Sequence, residues 1–367
     1  SFDGPNTVYA WRSADKYQGL TYMCNRRPGE LYLVGGDYPP STGPMPPGPY
    51  VAKADATTGR QIWRTYVDNA NVSGRWFGNA NLNILPDGNI PFAWSNQILR
   101  HNTLPPGEAP ASDVNYKHLT IAPDGTLILK CQTRPLGETS QGTMAIIKGV
   151  MAGKKQPNSH ICAADPDTLE VLDDIGVPEP ATAPHIITTE DGRIAIYVPT
   201  VTSVLRYHWD PVAKKLSQDK SWVMKPMKPG QTTGTAPTLV GDWVAVQTNG
   251  APSETIASSI AVAHRADASR MHILFPFGDL KPGELSFAPP KPGADPENHM
   301  IYSADVGMGK VGGIRIDPST GELETVFVVD NATTTFQPVI GPKNRRVLLL
   351  TNMKKNNPSE PMKAALF

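Results

Sequence analysis

Along much of the chain, short apolar runs rich in Val, Ile, Leu and Thr are broken by tight polar turns. The stretches "KHLTIAPDGTLILK" from Lys117 and "PHIITTEDGRIAIYV" from Pro184 carry the pattern most openly. In each, a histidine (His118, His185) stands six residues before an Asp-Gly pair, and an apolar run follows. Apolar runs flanking an Asp-Gly turn predict a β-hairpin. The plan recurs in "NLNILPDGNIPFAW", with Asn81 six residues before Asp87. In "APTLVGDWVAVQTN" a shorter turn puts Thr238 in the histidine's place. "LTYMCNRRPGELYLVGG", "ELSFAPPKPGADPENHMIYSA" and "FQPVIGPKNRRVLLLTN" keep the plan with other turns. Seven hairpins are expected, opening near Leu20, Asn81, His118, His185, Thr238, Ser286 and Val339.

A second hairpin follows most of these. "YVAKADATTGRQIWRTYV" and "GGIRIDPSTGELETVFVV" place Asp at a strand end, then Thr-Gly, then a returning strand, and "HICAADPDTLEVLD" and "LRYHWDPVAKKLSQ" are looser copies. Two consecutive hairpins make four antiparallel strands, one blade of a β-propeller. The expectation is an all-β, seven-bladed β-propeller occupying residues 1–367 as a single domain. Its last blade is shared between the termini: residues 1–15 ("TVYAWR") would supply the fourth strand to residues 336–367 ("KAALF"). Closing the ring in this way removes two open sheet edges.

Composition fits this picture: 32 glycines, 37 prolines and only 19% charged residues suit an all-β chain with many turns. With 34 basic and 34 acidic side chains, the chain lacks the basic footprint that nucleic acid or an anionic membrane surface requires. No apolar run reaches the roughly 18 residues of a membrane span. The start at "SFDG", without methionine, is read as a removed leader and a periplasmic or extracellular location. The three cysteines show no metal spacing; they are buried thiols, or Cys131 and Cys162 form a disulfide.

The segment Asp55-x-x-Thr58-Gly59-x-x-x-Trp63, echoed by Asp317-x-x-Thr320-Gly321, resembles the quinoprotein-like (PQQ-repeat-like) β-propellers. The resemblance covers the whole chain as architecture. Quinone-dependent dehydrogenases of that superfamily usually have eight blades and often an adjacent cysteine pair at the cofactor. This chain has no adjacent cysteines and no CxxCH, so neither PQQ nor haem is expected.

In an up-and-down blade, connections alternate between the two faces of the disc. The Asp-Gly and Thr-Gly turns share the lower face, so the connections from strand two to three and from blade to blade lie on the upper one. The long segments 35–50 and 132–158 fall there, where binding usually resides. A six-residue offset from the lower turn places His118 and His185 at the starts of neighbouring inner strands, at the upper mouth of the channel. Near pH 7 imidazole is mostly neutral and suits a general base or a metal ligand. Both histidines are candidate catalytic residues or ligands of a divalent metal, or they cap strands through hydrogen bonds. Glu284 is the candidate counterpart acid or third ligand. Arg75, Trp76, Asn81, Tyr116, Lys117, Thr238 and Gln337 are candidates for holding a small, carbohydrate-like substrate. Two functions follow: an enzyme of lyase, hydrolase or isomerase type, or a non-catalytic binding or assembly module using its upper loops.

Overall fold

The computed structural model describes residues 22–24, 30–36, 49–55, 58, 60–66, 91–94, 97–100, 114–133, 159–168, 170–181, 186–289, 291–330, 339–340, 347–351 and 363–366. Within them the strands form seven sheets, each built from neighbours in sequence. The first holds β1 (Tyr22–Cys24), β2 (Glu30–Gly36), β3 (Pro49–Asp55) and β4 (Gln61–Tyr66); the second holds β5 (Pro91–Trp94) and β6 (Gln97–Arg100). The third has β7 (Val114–Ile121), β8 (Leu127–Thr133), β9 (Ser159–Ala164) and β10 (Val171–Val177). The fourth has β11 (Ile186–Glu190), β12 (Arg193–Pro199), β13 (Val204–Asp210) and β14 (Lys215–Met224). In the fifth, β15 (Thr232–Thr233) and β16 (Thr238–Val240) both pair with β17 (Trp243–Asn249), followed by β18 (Ile260–His264) and β19 (Met271–Leu274). The sixth has β20 (Gly293–Asp295), β21 (Met300–Asp305), β22 (Lys310–Ile316) and β23 (Leu323–Asp330). The last has β24 (Val339–Ile340), β25 (Val347–Thr351) and β26 (Lys363–Leu366). Pairing is antiparallel throughout, and one 3-10 turn (Pro252–Glu254) is the only helical element among the described residues. Consecutive four-stranded antiparallel sheets of this kind are propeller blades.

The core lies between the sheets. One apolar cluster joins Ile128, Ile161 and Ala163 of the third sheet to Ile196, Leu205 and Trp209 of the fourth. Others join the fourth to the fifth and the fifth to the sixth. Middle strands are therefore covered on both faces, which is why β12 and β17 read as continuous apolar runs, "IAIYV" and "WVAV". Outer strands alternate instead, as in β14.

Aspartate shapes the turns between third and fourth strands. Asp55, Asp165, Asp210 and Asp317 each close a third strand and accept the N–H groups two or three residues ahead at 2.7–2.9 Å. These Asx turns make the local bend without help from the sheet. Indole donors stitch across sheet borders: Trp209 Nε1 to Asp124 Oδ2 (2.9 Å), Trp222 Nε1 to His264 O (3.0 Å) and Trp243 Nε1 to Pro318 O (3.0 Å).

An ion network ties the fourth sheet to the fifth. Arg206 donates to Glu190 (3.1 Å) and, through Nε and Nη2, to Asp219 (3.0 and 2.6 Å); Arg265 Nε reaches Glu190 at 2.7 Å. Burial alone would raise the Asp219 pKa, but the Ser221 hydroxyl, the Arg206 guanidinium and the Ser221 N–H hold it at about 2. A carboxyl depressed in the folded state stabilises the fold above its ordinary value, about 4, and loses that contribution as pH falls through the folded value. The melting temperature should therefore drop between about pH 4 and pH 2 more steeply for the wild type than for Asp219→Asn, followed by circular dichroism. Parallel curves would exclude Asp219 from the linkage.

Candidate functional site

The upper rim is where strands two and three of each sheet meet and where the chain crosses between sheets. In the fourth sheet Thr200 follows β12 and Ser203 precedes β13. Thr200 N–H donates to Ser203 O (2.7 Å), Ser203 N–H donates to Thr200 Oγ1 (3.1 Å), and the hydroxyls stand 2.8 Å apart. The fifth sheet repeats this clamp with Thr248 and Ser259, at 2.9, 3.0 and 2.9 Å.

The connecting segments bring polar side chains onto the clamps. Glu179 accepts from Thr200 Oγ1 (2.7 Å), Thr202 N–H (3.0 Å) and Thr202 Oγ1 (2.7 Å). Gln231 Nε2 donates to Thr248 Oγ1 (3.0 Å) and to Ala257 O (2.8 Å). Between the fifth and sixth sheets the organising group is Asp305, at the end of β21 and wholly buried. It accepts from Ser258 Oγ (2.7 Å), from the Ser286 hydroxyl, and from the N–H groups of Met308 (2.9 Å) and Phe287 (3.3 Å). Gln247 beside it donates to Ala304 O (2.8 Å) and accepts from the Ser303 hydroxyl. A carboxylate removed from water is costly unless its lone pairs are filled, and four donors fill these. The rim is thus a rigid frame of hydroxyls and amides around one buried carboxylate.

Of the residues singled out from the sequence, Arg75, Trp76, Asn81, His185 and Gln337 lie outside the described residues. Tyr116, Lys117 and His118 are on β7, where the structure describes the backbone. β7 begins at Val114, so His118 lies inside the inner strand and not at its start. The register jumps between Lys117↔Lys130 and Thr120↔Ile128, so β7 carries one extra residue, a β-bulge spanning His118 and Leu119. Bulges re-aim side chains and are over-represented beside active sites. Thr238 is buried at the start of β16, opposite Ala245. Glu284 stands nine residues before β20, and its Oε2 accepts the Lys281 N–H (3.1 Å), closing its own turn. The sixth hairpin therefore opens at Gly293 and not at Ser286, because Pro289, Pro290 and Pro292 have no amide hydrogen for a ladder.

A catalytic metal usually takes three protein ligands. Among the described residues no three His, Cys, Asp or Glu side chains converge in that way. Sequence reasoning missed Asp305 and the Thr–Ser clamps. The one signal in the sequence is the glycine-rich "VGMGKVGG": Asp305 sits directly before it and binds its Met308 N–H.

No family model matches the chain, and no curated protein matches it. The solved structures it resembles include the periplasmic gluconolactonase PpgL of Pseudomonas aeruginosa, with TM-score 0.50, 14% identity and 85% of each chain covered. A provisionally assigned 6-phosphogluconolactonase of Bacteroides fragilis gives TM-score 0.50 at 13% identity over 84% of each chain. U3-55K gives 0.52 at 8% identity, over 94% of this chain and 91% of its own. At such identities the likeness is one of fold, a β-propeller-like architecture, and nothing in it supports membership of the quinoprotein-like group.

Proposed function

We propose that the chain is a seven-bladed propeller enzyme that hydrolyses a small, sugar-like lactone or ester at the upper mouth of its channel. The observation that carries this reading is the β-bulge at His118, an irregularity in the first strand of the third sheet. The names of the gluconolactonase and the provisional 6-phosphogluconolactonase point the same way. In this reading His118 and His185 serve as base and acid. Water adds to the carbonyl carbon and loses its proton to one imidazole; the C–O bond opens, and the departing oxygen takes a proton from the other. Glu284 is the counterpart acid, and Arg75, Trp76, Asn81, Tyr116, Lys117, Thr238 and Gln337 line the substrate. Ring closure by residues 1–15 belongs to the same proposal: β24–β26 form a three-stranded sheet among the described residues, one strand short of its neighbours. So does a periplasmic or extracellular location, which the disulfide at Cys162 favours.

General acid–base groups contribute roughly 10²–10⁴-fold to rate. His118→Ala and His185→Ala should each lower kcat/KM for gluconolactone hydrolysis by about that factor. Hydrolysis by the wild type that survives both substitutions would overturn the assignment. A wild type that opens no lactone would leave the binding-module reading in its place.

A further inference from the structure

Asn249-Gly250 is the one Asn-Gly pair in the chain. This dipeptide is the one most prone to deamidation in water, because glycine has no side chain to shield its nitrogen from the preceding side-chain amide. Here the pair stands where β17 ends on the upper rim, and the glycine is not optional. A Cβ on Gly250 would lie 2.7 Å from Ile256 O and from Ser286 Cβ. Close packing of two connections, from β17 to β18 and from β19 to β20, thus builds a self-reactive sequence into the frame.

The same frame holds both reacting groups still. The Gly250 N–H donates to Ser286 O (3.0 Å). The Asn249 amide is engaged at both ends: Oδ1 accepts the Ala288 N–H (3.1 Å), and Nδ2 donates to Thr232 Oγ1 (3.1 Å) and Thr233 O (3.4 Å). Cyclisation needs a deprotonated glycine nitrogen and a side chain free to swing over it, so these bonds must yield first. Two of them run to residues 286–288, which Ser286 ties to the buried Asp305 carboxylate. Lifting that one segment releases the nitrogen and the side-chain oxygen together.

We propose that Asn249 is a conditional self-modification site, closed while residues 286–288 sit on the rim and open when they leave it. The Gly250 nitrogen then loses its proton and attacks Asn249 Cγ; the bond from Cγ to Nδ2 breaks, and ammonia leaves. Water opens the resulting succinimide at either carbonyl, leaving aspartate or isoaspartate at position 249. The sum is one water taken up and one ammonia released, with no oxidant or cofactor. Either product keeps the rim from closing again. The new carboxylate has no hydrogen for Thr232 or Thr233 and repels the Thr233 carbonyl, and isoaspartate also adds a methylene to the main chain. The damage travels, because Thr233 donates its N–H to Val201 O (3.1 Å) and its hydroxyl to Thr200 O, beside the clamp of the fourth sheet. None of this rests on the hydrolase reading.

The test is peptide mapping by mass spectrometry of the full chain held at mildly alkaline pH, native and in urea. With four hydrogen bonds to break, deamidation at Asn249 should be about a hundredfold slower in the native protein than in urea. Thr232→Ala removes one acceptor and should speed the native reaction several-fold. Ser286→Ala cuts the tether to Asp305 and should speed it by about tenfold or more. Neither substitution should change the rate in urea. Asn249→Asp imitates the product, so the amides of Thr233, Gly250 and Ala288 should exchange hydrogen faster in it than in the wild type. Equal deamidation rates in native and urea-unfolded wild type would overturn the proposal, and that comparison stands even where a variant does not fold. Native rates unmoved by both Thr232→Ala and Ser286→Ala would overturn it too, as would wild-type amide protection in Asn249→Asp.

Discussion

Gly321→Ala should lower the melting temperature by about 5–10 °C, roughly twice the effect of Gly125→Ala. Both glycines hold positive φ, +83° and +91°, where a side chain costs about 1–2 kcal/mol. Around Gly125 nothing lies within 4 Å of an added Cβ, so the backbone term stands alone there. At Gly321 the added Cβ collides with the benzo-ring atoms Cη2, Cζ3 and Cζ2 of Trp243. That ring cannot retreat. It is 1% exposed, its Nε1 donates to Pro318 O (3.0 Å), Arg270 lies over it at 5.4 Å, and His264 meets its face edge-on at 5.0 Å. Overpacking of this kind adds about 1–3 kcal/mol. Trp243→Phe deletes the three colliding atoms, so in that background the cost of Gly321→Ala should shrink to the backbone term, measured as a double-mutant cycle. Additive effects would show that Trp243 plays no part.

The glycine also marks how far sequence could be read. "DPSTG" announces a turn, and the Asp317 Asx bonds confirm it. Nothing in those letters says that the glycine faces a tryptophan from another sheet. The same limit separates the two look-alike hairpins. Asp191 and Gly192 both take positive φ, the pattern of a two-residue type I′ turn. In "APDGT" Pro123 locks a negative φ and only Gly125 turns positive, so that turn is longer. An equal six-residue offset thus does not mean an equal place on the ladder. His118 ends up within a bulge in β7, whereas β11 starts one residue after His185. Four-stranded sheets were legible because turn aspartates and apolar periodicity are local signals. Asp305 was not, because its donors Ser258, Ser286, Phe287 and Met308 come from three separate connections.

Arg206→Ala should destabilise the fold by about 3–5 kcal/mol, because it strips paired carboxylates of their cation without returning them to water. Glu190 and Asp219 are only 11% and 15% exposed. Arg206 does more than neutralise them. Its Nη1 also donates to Arg265 O, which lies in the next sheet, and its guanidinium sits 5.5 Å from the Trp222 ring. Two carboxylates, one carbonyl and one aromatic face need a planar fork, so Arg206→Lys should recover less than half of the loss. Glu190 keeps Arg265 and the Tyr197 hydroxyl in either variant, which makes Asp219 the group left most exposed to the change. The deficit should therefore depend on pH. With Arg206 present the Asp219 pKa is held at about 2; without it the value rises, and protonation quenches the unpaired charge at milder acidity. Urea unfolding at about pH 7 and at about pH 3.5 separates the cases: the gap between Arg206→Ala and wild type should narrow in acid. An equal gap at both values would assign the loss to packing on Trp222 and not to the charges.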